Sequence, residues 1–366
     1  MSHRTNEPAP PRRTARSLFE PLTLGVDIGG TKVLAGVVDS TGHVVAHTRR
    51  ETPERSTTPR AVEDTIVAAV SQLRATHPVA AVGIGAAGFV DASRTTVLFS
   101  PHLSWRNEPL RDALFGRLRI PVIVDNDANM AAWAECRFGA GIGRSQVLCL
   151  TLGTGIGGAL VIDGRVLRGA NGIAGEFGHM QVVPDGKRCE CGNRGCWEQY
   201  ASGNALVREA GEMVVSRAPV AHRLRELTED NPARLTGQLV TEAASQGDPT
   251  SIELITDVGR WLGVGLANLS AAFDPDCIIV GGGVAEAGDL LLGPARDALA
   301  RTLTGRGFRP TPSIVAASLG PDAGMVGAAD MARSAVRRSR RSPRRRARRQ
   351  RKRRVRLQSE SPPGAL

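Results

Sequence analysis

The stretch Leu22 to Asp39, LTLGVDIGGTKVLAGVVD, contains two apolar runs that are separated by a glycine-rich turn. The runs Leu22 to Asp27 and Val33 to Asp39 are typical of adjacent strands. Phosphate can approach the backbone N–H groups of the turn, because glycine carries no side chain, and its aspartate can hold a hydrated Mg²⁺. A plain hairpin with a glycine-rich tip is the alternative. The candidate contacts are Asp27, Gly29, Gly30, Thr31 and Lys32.

The same pattern returns later in the chain, where the apolar run Leu148 to Leu152 is followed by a Gly-Thr-Gly-Ile-Gly-Gly turn and a second apolar run. Two such turns that face each other across a cleft can hold the β- and γ-phosphates of ATP. A third glycine run follows the buried-strand pattern Cys277 to Val280 and could lie against adenosine, although a simple strand-to-helix turn is the alternative. The candidate contacts are Gly153, Thr154, Gly155, Gly157, Gly281, Gly282 and Gly283.

Asn126 and Asp127 follow the apolar run Pro121 to Asp125, which is typical of a buried strand. Side chains at the carboxyl end of such a strand project into a cleft. Phosphoryl transfer to an alcohol needs a carboxylate that accepts the hydroxyl proton, and Asp127 is predicted to be this general base. The alternative is that residues 125 to 129 only cap a helix, which the spacing predicts over Ala131 to Phe138.

The most specific pattern is Glu176-Phe-Gly-His179 followed by Cys189-x-Cys191-Gly-x-x-Gly-Cys196-x-Glu198. Three thiolates and one imidazole form a closed tetrahedral zinc site, and four protein ligands leave no position for a catalytic water. The sequence therefore predicts a structural Zn²⁺ held by His179, Cys189, Cys191 and Cys196. A redox role for the cysteines is the alternative, but the chain contains no C-x-x-C motif.

The positive charge of the chain is concentrated at one end. The net charge is +11, but residues 331 to 366 contain 15 Arg or Lys and one Glu, so residues 1 to 330 carry −3. A charge run without aromatic residues is commonly a solvated appendage, and we expect no nucleic-acid partner beyond non-specific contacts of this Arg-rich segment.

The chain has no predicted membrane span or signal sequence. Its longest charge-free stretch in the body, Ser145 to Ile162, is rich in Gly, Ser and Thr, and charged residues interrupt the segment before Leu22. The clustered cysteines suit metal binding in a reducing compartment better than a disulfide framework. We therefore expect a cytoplasmic protein.

The order of the three turns, from about Leu22 to Arg333, resembles the actin, sugar-kinase and heat-shock ATPase superfamily, and no P-loop motif is present. The resemblance implies an α/β fold with two ribonuclease-H-like (actin/hexokinase-type) domains around an interdomain cleft. The pattern C-x-C-G-x-x-G-C-x-E is similar to that of the ROK family of sugar kinases and repressors, and it is matched here without a gap. Within that family the chain looks most like the bacterial ATP-dependent glucokinases.

Carried over residue by residue, the resemblance implies which side chains bind sugar hydroxyls. They are Asn126, Asp127, Glu176, His179 and Glu198, with His179 also a zinc ligand. Weaker candidates are Gly88, in the turn within Gly83 to Phe89, together with Ser100 and Asn107 in the stretch Ser100-Pro-His-Leu-Ser-Trp-Arg-Asn107, for which a structural role is the alternative.

The implied reaction is ATP-dependent phosphorylation of glucose to glucose 6-phosphate with Mg²⁺, in a dimer or tetramer. The alternatives are mannose, allose, N-acetylglucosamine or N-acetylmannosamine as substrate, and polyphosphate as donor. A sugar-responsive transcriptional regulator is the rival from another class. It is disfavoured because about 21 Pro-rich residues before the first strand are too few for a helix-turn-helix domain.

Length and composition predict two domains with flanking segments. Residues 1–21 are predicted to be a disordered extension, and residues 22–125 a smaller N-terminal α/β domain completed by a helix near 324–333. Residues 126–323 are predicted to form a larger C-terminal α/β domain that contains the zinc and sugar-binding loop. Residues 334–366 are predicted to be a disordered basic tail.

Overall fold

The structure is a computed structural model that describes residues 21–339. The strands are β1 (Leu22–Ile28), β2 (Lys32–Val38), β3 (Val44–Glu51), β4 (Val79–Ala86), β5 (Phe89–Val90), β6 (Val97–Phe99), β7 (Arg106–Glu108), β8 (Val122–Asn126), β9 (Gln146–Leu152), β10 (Ile156–Ile162), β11 (Arg165–Val166), β12 (Cys277–Gly281) and β13 (Ser313–Ala316). The helices are α1 (Pro59–Arg74), α2 (Leu110–Leu118), α3 (Asp127–Phe138), α4 (Glu198–Ala201), α5 (Gly203–Val215), α6 (His222–Thr228), α7 (Gly237–Ser245), α8 (Pro249–Phe273), α9 (Asp289–Thr302) and α10 (residues 323–339).

Two five-stranded mixed sheets share one topology. The first has the order β3-β2-β1-β4-β8 and the second the order β11-β10-β9-β12-β13. In each sheet the first three strands are antiparallel neighbours and the last three are parallel. This correspondence agrees with the strand-turn-strand pattern that occurs twice in the sequence.

The first sheet brings acidic strand ends together. In the parallel ladder, Asp27 of β1 pairs with Gly85 of β4, and Gly85 pairs with Asp125 of β8. Because the carboxyl ends of parallel strands meet at one edge, the residues that follow these strands share that edge. The edge is where the candidate site lies.

Helix α10 packs on the first sheet, although it lies at the other end of the described chain. A Cβ on Gly25 would be only 1.8 Å from the Met325 carbonyl oxygen, and one on Gly83 only 1.9 Å from that of Ala328. Only glycine allows so close an approach of helix backbone to strand backbone. Helix α10 therefore covers the strands β1 and β4 of the first sheet.

A large apolar core lies between the second sheet and the helices that cover it. Helices α8 and α9 cross closely, because Gly263 of α8 lies against the Ala295 carbonyl oxygen, where a Cβ would be 2.4 Å away. Leu262 and Leu266 of α8 and Leu299 of α9 are fully buried in this core. Within residues 21–339 no helix has both the length and the apolar character needed to cross a bilayer.

Three features differ from the sequence predictions. Helix α3 begins at Asp127, four residues before the predicted start at Ala131, and α10 continues through residue 339, past the predicted end at 333. Residues 334–339, predicted to be disordered, are therefore helical. A small antiparallel sheet, β5-β6-β7, was not predicted. The rest of the predicted tail, residues 340–366, and residues 1–20 of the predicted extension lie outside the described residues.

Candidate active site

Two carboxylates, Asp27 and Asp127, flank Gly85 at the shared edge of the first sheet. A Cβ on Gly85 would lie 3.5 Å from Asp27 Oδ1 and 3.6 Å from Asp127 Cα. Gly324, in the first turn of α10, also lies against Asp27, since its Cβ would come within 2.7 Å of the Asp27 carboxyl carbon. Two acidic groups are thus held close together at the beginning of two helices.

The start of α3 fixes the direction of Asp127. Asn126 is the N-cap, and its side-chain oxygen accepts a hydrogen bond from the Asn129 backbone N–H at 3.1 Å. Asp127 occupies the first turn, where its Oδ1 accepts from the Ala128 N–H at 2.9 Å. The N-cap is therefore Asn126 and not Asp127, so the capping of α3 does not exclude a chemical role for Asp127.

The buried carboxylate of Asp125 holds the first turn of α3 in place through hydrogen bonds. Its Oδ1 accepts from the Asn126 backbone N–H and from Asn129 Nδ2, both at 3.0 Å. Its Oδ2 accepts two hydrogen bonds from Arg168, from Nε at 2.8 Å and from Nη2 at 2.6 Å, and Arg94 approaches at 3.5 Å. A network of charge-assisted hydrogen bonds thus holds the turn that carries Asp127, and it includes Arg168, which follows β11.

Burial makes the carboxyl groups of the site weaker acids. Burial raises the pKa of Asp127 to about 6, against hydrogen bonding from the Ala128 N–H and the charge of His102. Burial, reinforced by the charge of Asp127, raises the pKa of Asp27 to about 7, which Lys32 opposes. Burial together with the charges of Asp127 and Glu198 raises the pKa of Glu176 to about 7. The mutual repulsion places Asp27, Asp127, Glu176 and Glu198 in one acidic cluster.

The four predicted zinc ligands also meet in space. Donor atoms of His179, Cys189, Cys191 and Cys196 all lie within 4.8 Å of one another. His179 Nδ1 is 3.6 Å from Cys189 Sγ, and the sulfur atoms of Cys191 and Cys196 are 3.6 Å apart. All six cysteines of the chain are free of disulfides. The donor set and its spacing fit a four-coordinate site for zinc.

Glu198 joins the cysteine cluster to the second glycine turn. Its Oε1 is 3.4 Å from His179 Nδ1 and accepts from Cys189 Sγ at 3.1 Å. Its Oε2 lies against Gly155, where a Cβ would be 2.5 Å away. Gly157 in turn contacts the N-terminal turn of α3, since its Cβ would be 3.4 Å from Ala128 Cβ. The second glycine turn, at residues 153–157, therefore lies between Glu198 on one side and the first turn of α3, which contains Asp127, on the other.

The third turn adjoins the second. Gly282 has a φ of +88° and packs on Leu152, at the end of β9, so tightly that a Cβ would be 2.4 Å from the Leu152 carbonyl oxygen. Gly283 is exposed and has open space around its Cα. Gly281 ends β12 beside Thr151 of β9. The structure thus brings the turns at 153–157 and 281–283 together.

Thr52 secures the first turn, a role that the sequence did not reveal. Its N–H donates to the Thr31 carbonyl at 3.2 Å and its hydroxyl donates to the Gly29 carbonyl at 2.8 Å. The Gly29 N–H donates to the Lys32 carbonyl at 3.0 Å, which closes the turn. Thr52 directly follows β3, the neighbour of β2, so its role depends on strand pairing and not on a local motif.

The three weaker candidates have different surroundings. Gly88 has a φ of +144°, and its carbonyl accepts from Asn126 Nδ2 at 3.1 Å, which ties its turn to the site. Ser100 is fully buried, and its hydroxyl donates to the Ala87 carbonyl at 2.6 Å. Asn107 is exposed on β7 with a φ of +50°. The structure brings Gly88 to the site, gives Ser100 a structural partner and joins Asn107 to none of the site residues.

Comparisons with known proteins agree on one family. The profile of the ROK family matches residues 23–335. A glucokinase of Streptomyces coelicolor is 48% identical over 312 residues, which cover 85% of this chain and 98% of that protein. A putative xylose repressor of Caldicellulosiruptor sp. is 32% identical over 74% of this chain and 68% of its own length.

Solved structures show the same relationship. A ROK family glucokinase from Streptomyces griseus, in complex with glucose and AMPPNP, superposes with a TM-score of 0.78 at 50% identity, covering 86% of this chain and 99% of that one. A ROK hexokinase from Thermus thermophilus gives a TM-score of 0.69 at 33% identity, with 86% and 99% covered. The mixed sheets described above are therefore the α/β fold of ROK sugar kinases, and the chain belongs to the ROK family.

Proposed function

We propose that this protein transfers the γ-phosphoryl group of ATP to the 6-hydroxyl of glucose. The observation that carries the proposal is Asp127, a half-buried carboxyl group in the first turn of α3 whose pKa of about 6 lies close to neutral. A group with such a pKa is ionised at pH 7 yet basic enough to accept the proton of an alcohol. The similar glucokinases support glucose and ATP as the substrates.

The residues around Asp127 divide the remaining tasks. Asn126, Glu176, His179 and Glu198 offer hydrogen-bonding groups to sugar hydroxyls, and a ligand that leaves such groups unpaired is rejected. The turns at 29–32 and 153–157 offer backbone N–H groups to the phosphates, and the exposed Gly283, next to the second of these turns, offers a surface for adenosine. Asp27 would hold Mg²⁺, which when bound neutralises phosphate charge.

Zinc would be held by His179, Cys189, Cys191 and Cys196 and would serve structure only. Closing this loop fixes His179 and, through the 3.4 Å contact between His179 Nδ1 and Glu198 Oε1, the Glu198 carboxylate.

Such a set of thiolates persists in a reducing compartment, so we propose a cytoplasmic location. We further propose that the two sheets belong to two ribonuclease-H-like domains with the site in the cleft between them, and that the chain forms dimers or tetramers.

A coupled ADP-release assay across a panel of hexoses tests the proposal. We expect turnover with glucose, with a kcat/KM at least about 10-fold above that for mannose, allose, N-acetylglucosamine and N-acetylmannosamine. The reason is that the hydrogen-bonding side chains proposed to contact the sugar discriminate between arrangements of its hydroxyl groups. Replacing ATP with polyphosphate should lower turnover sharply. The absence of ADP release with every sugar of the panel would refute a kinase.

A further inference from the structure

Residues 100–105, here called the His102 loop, place an imidazole beside the first phosphate turn. A Cβ on Gly30 would lie 3.1 Å from His102 Cβ and 3.3 Å from its Cγ, so the side chain packs directly against the turn. His102 is exposed, and the structure gives it no hydrogen bond to another residue of 21–339. The ring is therefore available to a ligand at this turn.

The His102 loop is held rigidly although its tip is exposed. Leu103 and Trp105 are fully buried, and the Ser100 N–H donates to the Trp105 carbonyl at 3.3 Å. Arg106 Nη1 donates to the carbonyls of Ser100, Leu103 and Trp105 at 2.8, 3.3 and 2.6 Å. Such anchoring restricts the backbone of the loop, so the Cα of His102 is held beside the turn before any ligand binds.

The imidazole also lies within electrostatic reach of the proposed base. Its charge lowers the pKa of Asp127, opposing the larger effect of burial. Acidic groups also lie close by, since the charge of Asp127 acts on both Asp27 and Glu176, and Lys32 opposes the effect on Asp27. A phosphoryl group that passes from the turn at Gly30 to a hydroxyl at Asp127 therefore needs donors to offset this repulsion. His102 packs against the turn at one end of that path and acts electrostatically on Asp127 at the other.

We propose that His102 is a further catalytic residue, which hydrogen-bonds the phosphoryl group during its transfer; this inference rests on the function proposed above. In the step, the sugar 6-oxygen forms a bond to the γ-phosphorus while its proton passes to Asp127. The bond from the γ-phosphorus to the β–γ bridging oxygen breaks, and its electron pair leaves with ADP. The His102 N–H donates to a non-bridging oxygen throughout, without net change in its own protonation.

Replacing His102 with Ala should lower kcat about 10- to 100-fold while the KM for glucose changes less than about 2-fold, because the lost contact is to the phosphoryl group and not to the sugar. His102→Asn, which retains an N–H donor, should recover part of kcat. His47→Ala, at an exposed histidine on the edge strand β3, is the matched control and should match the wild type.

A binding measurement separates this inference from the proposed function, since it needs no turnover. By titration calorimetry in the presence of glucose, His102→Ala should bind AMPPNP about 5- to 10-fold more weakly than the wild type and bind ADP equally well. Equal losses for both nucleotides, or no loss for either, would overturn the role of His102. A wild type that binds AMPPNP more tightly than this variant but phosphorylates no sugar would leave His102 as a γ-phosphate ligand and refute the kinase alone.

Discussion

At the scale of single residues, the site depends on acidic groups that are kept close together. Asp27, Asp127 and Glu176 each have a raised pKa, because burial disfavours their charged forms and, for Asp27 and Glu176, the charge of Asp127 adds to it. Such an arrangement costs folding stability and is retained where ligands complete it. The stability cost and the catalytic role should therefore be separable by mutation.

Asp127→Asn is expected to abolish turnover and to stabilise the folded protein at high pH. The folded pKa of about 6 exceeds the ordinary 3.8, so the carboxyl contributes fully to stability below about pH 4 and loses this contribution as the pH rises through 6. Asn avoids that loss and can still accept from the Ala128 N–H. The free energy of unfolding should increase by about 1 to 2 kcal/mol at pH 8, allowing for partial solvent screening, and by nothing at pH 4.

Urea unfolding at pH 4 and pH 8, together with the ADP-release assay, checks this prediction. Glucose binding should remain measurable in the variant, and kcat should fall at least about 100-fold. Asp297→Asn, at an exposed position on α9, is the control and should alter neither quantity. Near-normal turnover of Asp127→Asn would contradict the general-base assignment.

Single residues also show what the sequence could not reveal. The ligand set His179, Cys189, Cys191 and Cys196 could be predicted because its members are close in the chain. His102 and Thr52 were missed, because their roles arise only when a loop and a strand from elsewhere reach the first turn. Long-range contacts of this kind leave no local spacing signal.

At the scale of secondary-structure elements, the cysteine-bearing loop is shaped by glycine. Gly192 and Gly195 have φ values of +96° and +73°, and a Cβ on Gly195 would lie 1.7 Å from the Val183 carbonyl oxygen. The loop is also closed by the Gln181–Cys196 bridge. The two glycines of the cysteine motif thus let the donor atoms converge.

Cys191→Ser is expected to remove zinc and to weaken sugar binding. Without the fourth ligand the loop no longer fixes His179, so the KM for glucose should rise at least about 10-fold while the KM for ATP changes little. Metal content by mass spectrometry and steady-state kinetics check this, with Cys136→Ser, a half-buried thiol outside the cluster, as control. An unaltered KM for glucose in a metal-free variant would exclude a bracing role.

Elements were predicted best where hydrophobic patterns are long and bounded by glycine or proline. Both glycine hairpins that the sequence predicts are present, as the antiparallel pairs β1–β2 and β9–β10. The predicted start of α3 is four residues too late, because Asp127 and Asn129 are residue types that also cap a helix. Strands β5 to β7 are two or three residues long, too short to show a period of two.

At the scale of the whole molecule, one ion pair links distant parts of the chain. Arg168, which follows β11 of the second sheet, donates two hydrogen bonds to Asp125 at the end of β8 in the first sheet. The Asp125 side chain is only 2% exposed. The overall fold could be predicted from the resemblance to the ROK family, which the comparisons confirm. The ion pair between Arg168 and Asp125 could not, because it depends on tertiary contacts. The domain boundaries at 125 and 323 stay a prediction.

Arg168→Ala is expected to lower the free energy of unfolding by about 2 to 4 kcal/mol, because Asp125 would stay buried without its principal cation. Arg168→Lys should recover less than half, since an ammonium cannot donate in the same two-pronged way. Arg111→Ala, which breaks an exposed pair with Asp112, should cost less than about 1 kcal/mol. Urea unfolding checks all three, and a loss for Arg168→Ala no larger than for Arg111→Ala would contradict the anchoring role.

The packing of α10 on the first sheet has a consequence for synthesis in the cell. Strands β1 to β8 leave the ribosome early, but the helix that covers Gly25 and Gly83 is made last among the described elements. Until then the part of the first sheet that α10 covers is open, and its apolar surface is available for aggregation. We therefore expect the nascent chain to need protection from aggregation until α10 is made, and a truncation before residue 323 to leave this surface open.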